Sequence, residues 1–305
     1  MKQTNFVILA AGKGTRMQSS LPKVLHKIAG RSMLGHVIDA IDSLGSEAKK
    51  IIVTGHGAAL VEQQFQGGDT LFVQQKEQLG TGHAVQMALP VLDDHAVVVV
   101  LYGDVPLIRP TTINAMLEVV SDTQMGLLTV DLDNPHGYGR IVRSDEGAIE
   151  AIVEQKDATE KQLKITEVNT GVLALQARHL RQWLPQITND NAQKEYYLTD
   201  LIAIACSHDV EIVSVNPDSA AEVEGVNNRQ QLSRLERDYQ YQMAVKLMQS
   251  GTSLADPARF DQRGKLVAGT DNFIDVNCVF EGDVTLGNNV SIAPNCVIVD
   301  SVIGD

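Results

Sequence analysis

Glycines and cations follow a short apolar run near the start of the chain. Residues 6–9 are too few for a helix and predict a buried strand of a parallel sheet, whose carboxyl end is where ligands bind. Gly12 and Gly14 have no Cβ, so backbone N–H groups can turn toward an anion there, and Arg16 and Lys23 add positive charge. This arrangement predicts a loop that binds phosphate groups.

Two common phosphate-binding patterns do not fit this loop. The P-loop requires four residues between its first glycine and Gly-Lys-Ser/Thr, and the dinucleotide fingerprint requires a third glycine where Met17 stands. Residues 9–17 with the later Pro22-Lys23 instead resemble the signature of sugar-nucleotide pyrophosphorylases, which join a sugar 1-phosphate to a nucleoside triphosphate. The resemblance implies two catalytic cations, Arg16 and Lys23, and substrate contacts from Leu9, Ala10, Ala11, Gly12 and Lys23.

A carboxylate follows the most apolar predicted strand, residues 97–101. Asp104 could hold Mg²⁺ there through a hard oxygen ligand, or it could simply end the strand in a turn. The string Tyr102-Gly103-Asp104-Val-Pro resembles the metal motif of the same family, and residues 224–228 resemble the segment that completes it. The resemblance implies that Asp104 and Asn227 bind Mg²⁺ and that Tyr102 and Gly103 also contact substrate. Without it, Asn227 predicts a helix N-cap.

A polar loop, residues 74–83, joins a predicted strand to a predicted helix. Gln75 can offer a donor and an acceptor to a pyrimidine, and Gly80 and Thr81 can contribute backbone groups. By itself the loop is also typical of an ordinary capped helix start. It resembles the uridine-recognition loop of the uridylyltransferases, which implies that these three residues bind UTP. His83 is predicted to lie in the helix and to have no chemical role, because transfer between ionised phosphates needs no base.

Three further segments resemble the branch of the family that handles N-acetylglucosamine 1-phosphate. They contain Gly139, Glu154 and Asn169, whose side chains or backbone have the chemistry to bind a sugar. Taken singly, a carboxylate beside a lysine is typical of a surface salt bridge, and Asn-Thr-Gly of a turn. Lys194 departs from the family, which usually has glycine there, and this makes the conformation of its loop an open question.

Composition bounds the possible partners. The chain has 305 residues, of which 44% are hydrophobic and 21% charged, and a net charge of −13. The acidic balance argues against nucleic acid as a partner, although a local cationic pocket for a nucleotide remains possible. No apolar run approaches a membrane span, no signal pattern opens the chain, and the three cysteines lack metal-ligand spacing. A cytoplasmic protein with reduced thiols and no membrane partner is predicted.

Alternating apolar runs and helical patterns predict an α/β fold over residues 1–227. The resemblance makes this a Rossmann-like nucleotidyltransferase domain with a mostly parallel mixed sheet. Residues 139–153 add a predicted antiparallel hairpin, and residues 228–251 a linker helix. The predicted strands cover residues 6–9, 51–54, 71–73, 97–101, 126–130 and 210–215, and the predicted helices cover residues 33–44, 80–92, 110–120 and 198–206.

Residues 252–305 show a six-residue repeat in two aliphatic columns. It resembles the hexapeptide repeat of left-handed parallel β-helices, and a β-hairpin array is the alternative. Because the pattern stops at Asp305 without a cap, we expect the natural chain to be longer. The columns contain Ile274, Phe280, Leu286, Ile292 and Ile298, and Cys278, Val284, Val290, Cys296 and Val302.

The joint resemblance is to the bacterial bifunctional uridylyltransferase and acetyltransferase branch. It implies that UTP and N-acetylglucosamine 1-phosphate form UDP-N-acetylglucosamine and pyrophosphate for cell-wall and outer-membrane precursors, with Mg²⁺ as cofactor. It also implies a homotrimer and an acetyltransferase in the full-length protein, with the acetyltransferase residues beyond Asp305. The alternatives are another sugar or base, such as glucose 1-phosphate with dTTP, a non-catalytic sugar-nucleotide sensor, and a β-helix acyltransferase.

Overall fold

A computed structural model describes residues 3–45 and 48–305, which form two compact units. The first unit contains the chain up to Val24 and Leu34–Gly225, and the second contains Leu25–Met33 and Val226–Asp305. Residues 1, 2, 46 and 47 of the predicted first domain lie outside the described residues. The short segment Leu25–Met33 therefore belongs with the second unit, although the sequence alone predicts it in the first.

The elements alternate along the first unit and become short strands in the second. The helices are α1 (Met33–Asp42), α2 (Ala58–Phe65), α3 (Thr81–Ala88), α4 (Pro110–Glu118), α5 (Ala177–Trp183), α6 (Asp200–Ser207) and α7 (Arg229–Gln249). The strands are β1 (Thr4–Ala10), β2 (Lys27–Ile28), β3 (Arg31–Ser32), β4 (Ala48–Thr54), β5 (Thr70–Gln74), β6 (Val97–Tyr102), β7 (Gln124–Asp131), β8 (Arg140–Arg143), β9 (Ile149–Val153), β10 (Glu167–Gln176), β11 (Glu211–Val215), β12 (Thr252–Leu254), β13 (Phe260–Ala268), β14 (Asn272–Ile274), β15 (Cys278–Leu286), β16 (Ser291–Ile292), β17 (Val297–Val299) and β18 (Val302–Ile303).

One large sheet forms the centre of the first unit, in the order β11-β7-β10-β6-β1-β4-β5. The run β6-β1-β4-β5 is parallel, whereas β10 is antiparallel to both β6 and β7. Every residue of β1 is buried, as expected for a central strand covered on both faces. The prediction of an α/β fold with a mostly parallel mixed sheet is confirmed.

Most predicted elements are present, and the missed ones have weak signals. The predicted hairpin is formed by β8 and β9, which pair antiparallel. Strand β10 was not predicted because its first half is polar, and its pairing with β7 shifts register between Asn169 and Leu173, which interrupts the alternation of side chains. Helix α2 was also missed, since it is short and buries only Val61 among its own residues.

Residues 252–305 form stacked coils of parallel strands. Phe260 pairs with Cys278, and the stack continues from β15 to β17, while β12, β14 and β16 form a second parallel sheet. Equivalent residues in successive coils are 18 positions apart, as in the bond from Val290 N–H to Asn272 Oδ1. Three six-residue repeats therefore make one coil, and the start of a β-helix is confirmed.

The two aliphatic columns enter this core, except at Val302. Ile274, Phe280 and Val284 are buried, but Val302 is 82% exposed. In the last described coil the spacing contracts, so that Val302 pairs with Thr285 instead of Val284. A shift of one residue turns a side chain to the other face of a strand, so the prediction for Val302 was wrong and Ile303 packs inward instead.

Helix α7 lies against the first coil, and its N-cap is one residue later than the sequence predicts. Its N-cap is Asn228, whose side chain accepts the N–H of Gln231 at 2.9 Å. The prediction of Asn227 as the cap was therefore wrong by one position. Glu236 in this helix accepts the backbone N–H of Ala29 at 2.7 Å, which explains why the β2–β3 hairpin belongs to the second unit.

No helix among residues 3–45 and 48–305 combines the length and the apolar character needed to cross a membrane.

Gln240 joins α7 to the first coil, and its loss should destabilise the second unit. The side chain is 1% exposed. Its Oε1 accepts the Gln262 N–H at 2.7 Å, and its Nε2 donates to the Gln262 carbonyl at 2.9 Å. Gln240→Leu leaves a buried N–H and C=O unpaired, which costs about 1–3 kcal/mol. Urea denaturation should show this loss, whereas Gln249→Leu at the exposed end of α7 should change stability by less than about 0.5 kcal/mol. Equal effects of the two substitutions would contradict this role for Gln240.

Candidate active site

The carboxyl ends of β1, β4, β5 and β6 meet at one edge of the large sheet. Leu9 in β1 pairs with Tyr102 in β6, and the N–H of Gly103 donates to the Leu9 carbonyl at 3.0 Å. At the end of β5, the N–H of Gln75 donates to the Thr54 carbonyl at 2.8 Å. The topology thus brings the loops after these strands together, although they are far apart in the sequence.

These loops enclose a cavity of about 280 Å³, here called the strand-end cavity. Most of the residues predicted to bind a nucleotide line it. The lining consists of Leu9, Ala10, Ala11, Gly12, Lys23, Val24, Gln75, Gln78, Gly80, Thr81, Ala84, Tyr102, Asp104 and Glu195. Four of these residues, Val24, Gln78, Ala84 and Glu195, were not predicted, although Gln78 lies in the polar loop of residues 74–83 that the sequence singles out.

Lys23 and Asp104 form an ion pair in this cavity, and their side chains are only 13% and 16% exposed. A Cβ on Gly14 would lie 2.6 Å from the Cβ of Lys23, and Gly14 has a φ of +59°. Glycine is therefore required both for the left-handed turn and for the close approach of the lysine stem. The cation is held at a fixed point beside the carboxylate.

Arg16 and Gly12 take different positions in the same loop. Gly12 lines the cavity, and a Cβ placed on it would meet no atom within 4 Å, so the space above it is open for a ligand. Arg16 lies exposed in a 3-10 turn, Thr15–Met17, and does not line the strand-end cavity. The structure therefore brings Lys23 into this cavity without Arg16.

The three predicted sugar-binding residues lie together on the antiparallel strands. The N–H of Asn169 donates to the Gly139 carbonyl at 2.9 Å. A Cβ on Gly139 would lie 3.4 Å from Oε1 of Glu154. Glu154 lines a second cavity of about 230 Å³, here called the acidic cavity, together with Ile152, Val153, Asp157, Asp190, Asn191, Tyr197, Thr199 and Asp200.

Tyr102 lies between the two cavities. It lines the strand-end cavity and also a small cleft that contains Asn169, Gly171 and Thr199, and Thr199 reaches the acidic cavity. A Cβ on Gly171 would lie 2.5 Å from the Tyr102 ring, so glycine is required beneath that ring. The two cavities and the cleft share these lining residues, and together they are here called the trough.

Burial dominates the electrostatics of the acidic cavity. It raises the pKa of Glu154, an effect that the Thr199 hydroxyl opposes and that the charges of Asp157 and Asp200 reinforce. Burial and the charge of Asp157 raise the pKa of Asp200 as well. Burial and the surrounding carboxylates raise the pKa of Tyr197 to about 12. This end of the trough disfavours a further negative charge.

Lys194 has a left-handed backbone in the loop that borders the trough. Its φ is +56°, and its N–H donates to the Asn191 carbonyl at 3.2 Å. Lysine thus takes the conformation that glycine adopts most readily, at a cost of roughly 1–2 kcal/mol. The turn forms with lysine at this position: Glu195 lines the strand-end cavity, and the Tyr196 N–H donates to the Leu79 carbonyl at 2.8 Å.

The side chains at the strand-end cavity suit a metal ion that prefers oxygen ligands. Among residues 3–45 and 48–305, no group of three or more His, Cys, Asp or Glu side chains could hold a metal by itself. Two carboxylates, Asp104 and Glu195, line the strand-end cavity, and Asp104 is the one paired with Lys23. Mg²⁺ commonly uses one or two protein carboxylates, water and substrate phosphates, so these residues fit it. Asn227 lies in the second unit, where its N–H donates to Oε1 of Gln231 at 2.8 Å.

Comparisons with known proteins identify the domain family and the fold of the first unit. Residues 6–195 match the MobA-like NTP transferase domain. The fold is similar to that of a UDP-glucose pyrophosphorylase solved with UDP-glucose, with a TM-score of 0.63 and 15% identity over 78% of this chain and 98% of that one. At that identity the likeness establishes the fold alone.

Curated relatives identify the protein family within the NTP transferases. The chain is 57% identical over 305 residues to the bifunctional protein GlmU of Marinobacter nauticus, covering 100% of this chain and 67% of the relative. It is 56% identical over 301 residues to GlmU of Cellvibrio japonicus, covering 99% of this chain and 66% of the relative. The chain belongs to the GlmU family of NTP transferases. It spans about two thirds of the length of these relatives.

Glu154→Gln should raise stability at neutral pH. Because the folded-state pKa of Glu154 is raised above its ordinary 4.5, the folded state binds more protons than the unfolded chain above pH 4.5. The free energy of unfolding of the wild type therefore falls as the pH rises above 4.5 and through the folded-state pKa of Glu154. Glutamine does not ionise, so the variant avoids that loss. The variant should melt at a higher temperature than the wild type at pH 7, with the difference closing toward pH 4.5.

Scanning calorimetry between pH 4.5 and 7.5 measures this difference. Glu150→Gln is the matched control, because it removes a carboxylate from an exposed position on the same strand, β9, and should change the melting temperature much less. A melting difference for Glu154→Gln that grows as the pH falls would overturn the sign of the argument.

Proposed function

We propose that the chain transfers a uridylyl group from UTP to N-acetylglucosamine 1-phosphate, forming UDP-N-acetylglucosamine and pyrophosphate. The observation that carries the proposal is the convergence of the phosphate-type loop, Gln75 and the Lys23–Asp104 pair on the strand-end cavity. Membership of the GlmU family supports it. The acidic cavity, which Glu154 lines, and the adjoining cleft, which Asn169 lines, give the second substrate a place.

The reaction requires charge neutralisation and alignment. An oxygen of the sugar phosphate attacks the α-phosphorus, a new P–O bond forms, and the bond to the bridging oxygen of pyrophosphate breaks. Both partners are ionised, so no protein base is needed. Lys23 is held close to Asp104 with little exposure, where its ammonium group can stabilise charge on the reacting phosphate. Arg16 is assigned to the leaving pyrophosphate, which its long side chain on the exposed turn can approach from solvent.

Gln75, Gly80 and Thr81 are assigned to the nucleobase, because all three line the strand-end cavity. Leu9, Ala10, Ala11 and Gly12 provide the backbone against which the nucleotide lies. Gly103 is assigned a backbone contact at the end of β6, next to Tyr102.

Gly139, Glu154 and Asn169 are assigned to the sugar. Gly139 leaves room beside the Glu154 carboxylate, and the Asn169 side chain already accepts the Gly171 N–H at 2.9 Å, which fixes its direction. A carboxylate can accept hydrogen bonds from sugar hydroxyls. The neutral acetamido and hydroxyl groups of the sugar suit the acidic cavity better than its phosphate does.

Asp104 and Asn227 are assigned to Mg²⁺. When bound, the ion supplies Lewis-acid stabilisation to the phosphate oxygens. The assignment of Asn227 rests on the resemblance of residues 224–228 to the family segment. Asp104 carries one negative charge and Asn227 none, which would leave the ion able to attract phosphates.

The relatives are named bifunctional, and we propose that the full-length protein also acetylates glucosamine 1-phosphate with acetyl-CoA. We further propose that it is a homotrimer assembled through the β-helix. A cytoplasmic location is supported by the free cysteines Cys206, Cys278 and Cys296.

A pyrophosphate-release assay tests the proposed reaction. With UTP, N-acetylglucosamine 1-phosphate and Mg²⁺ present, pyrophosphate should form, and omission of any one should stop it. Glucose 1-phosphate with dTTP is the competing pair. Faster turnover of that pair, or binding without pyrophosphate release, would refute the proposal.

Asp104→Ala should abolish pyrophosphate release without unfolding the protein, because it removes the carboxylate assigned to the metal. Asp69→Ala, at an exposed position between α2 and β5, is the control and should retain activity. Circular dichroism melting checks the fold of both. An active Asp104→Ala enzyme would contradict the metal assignment.

Lys23→Ala should lower kcat by about 10²–10³-fold, since a positioned charge on the transition state contributes roughly 2.7–4 kcal/mol. Lys13→Ala removes a cation from the same loop, but from an exposed position outside the cavity lining. Its effect should be below about tenfold. If steady-state kinetics gave equal losses for both lysines, the fixed position of Lys23 would be unimportant.

A further inference from the structure

His83 lies in the first turn of α3, with its ring beside the Gln75 side chain. Its Nδ1 is 3.1 Å from Nε2 of Gln75. The same Nε2 donates to the Gly80 carbonyl oxygen at 3.0 Å. Gln75 is 3% exposed, so its amide has little access to water and depends on these partners.

These two contacts determine which way the Gln75 amide faces. A backbone carbonyl can only accept a hydrogen bond, so the amide nitrogen of Gln75 must be the atom that faces Gly80. One amide hydrogen is used there, and the other points to His83, whose Nδ1 must accept it. His83 then carries its own hydrogen on Nε2.

The orientation leaves Oε1 of Gln75 as the polar atom available to the strand-end cavity, which Gln75 lines. A flipped amide would place its oxygen against the Gly80 carbonyl oxygen, so that two acceptors would face each other. The backbone of Gln75 is held as well, since its N–H donates to Thr54 at 2.8 Å and its carbonyl accepts from Gln78 at 3.2 Å. Gln75 therefore presents an acceptor in a fixed direction.

His83 and Gly80 are themselves held by Tyr196. The Tyr196 carbonyl accepts the Gly82 N–H at 2.8 Å, and the rings of His83 and Tyr196 are 6.4 Å apart between centroids. A Cβ on Gly80 would lie 2.6 Å from the Tyr196 carbonyl oxygen, so no other residue fits there without movement. The partners of the Gln75 amide are consequently rigid.

We propose that His83 is a positioning residue that sets base selectivity by fixing the Gln75 carbonyl oxygen toward the base. This inference rests on the proposed uridylyltransferase function. Uracil has a hydrogen on N3 and can donate it to that oxygen. Cytosine has a lone pair on N3, which the same oxygen repels, so a fixed acceptor selects an imide base over cytosine.

The test compares UTP with CTP in variants of His83. Phenylalanine keeps a ring but removes the acceptor, whereas asparagine keeps an acceptor near the place of Nδ1. For His83→Phe, the ratio of kcat/KM for UTP to that for CTP should fall by about tenfold or more. The change should come from KM, with kcat for UTP little altered. His83→Asn should restore most of the ratio.

Gln86→Met is the matched control on the same helix. Gln86 donates to the Leu184 carbonyl at 3.0 Å and does not line the strand-end cavity. Loss of that hydrogen bond disturbs α3 without contacting Gln75. It should therefore change kcat/KM for UTP and for CTP by the same factor and leave their ratio unchanged. A purely structural role for His83 would give the same pattern in His83→Phe.

The outcomes separate this inference from the function on which it rests. If the wild type releases no pyrophosphate from UTP and N-acetylglucosamine 1-phosphate, the proposed function is wrong. If the wild type is active and His83→Phe keeps the wild-type ratio, the role of His83 is overturned. Nitrogen-15 NMR of the imidazole tests the wild type independently of whether variants fold. A hydrogen on Nε2 with a bare Nδ1 supports the proposal, and a hydrogen on Nδ1 of neutral His83 overturns it.

Discussion

The parallel pairing of β1 between β4 and β6 is the constraint on which the rest of the site depends. It places the ends of β1 and β6 side by side, with Leu9 opposite Tyr102. Each loop that follows a strand in this part of the sheet must therefore turn over the same edge. The loop after β1, the Asp104 carboxylate and the Gln75 side chain are adjacent for that reason, and a change in strand register would separate them.

Charge is distributed unequally along the trough that results. In the strand-end cavity the positive charge of Lys23 is paired with the carboxylate of Asp104. The acidic cavity disfavours additional negative charge, because burial and neighbouring carboxylates raise the pKa of both Glu154 and Asp200. The acidic cavity therefore favours a neutral group over an anionic one near Glu154.

Local patterns predicted the elements well where their signal was strong. The apolar runs of β1 and β6 and the six-residue columns of the β-helix are made of side chains that must be buried. The order and spacing of these residues along the chain are therefore enough to indicate the elements. The prediction failed where pairing decides the outcome. Strand β10 has a polar first half and an irregular register, and Val302 faces outward because its coil is one residue shorter.

The sequence by itself determined the family-type motifs, the fold class and the residues able to carry the chemistry, because those depend on residue type and short spacing. Only the tertiary structure decided that Lys23 enters the strand-end cavity while Arg16 lies outside its lining. It also decided that Lys194 keeps a left-handed turn and that His83 faces Gln75. These outcomes depend on contacts between distant segments, such as Gly80 against Tyr196, and spacing along the chain carries no information about them.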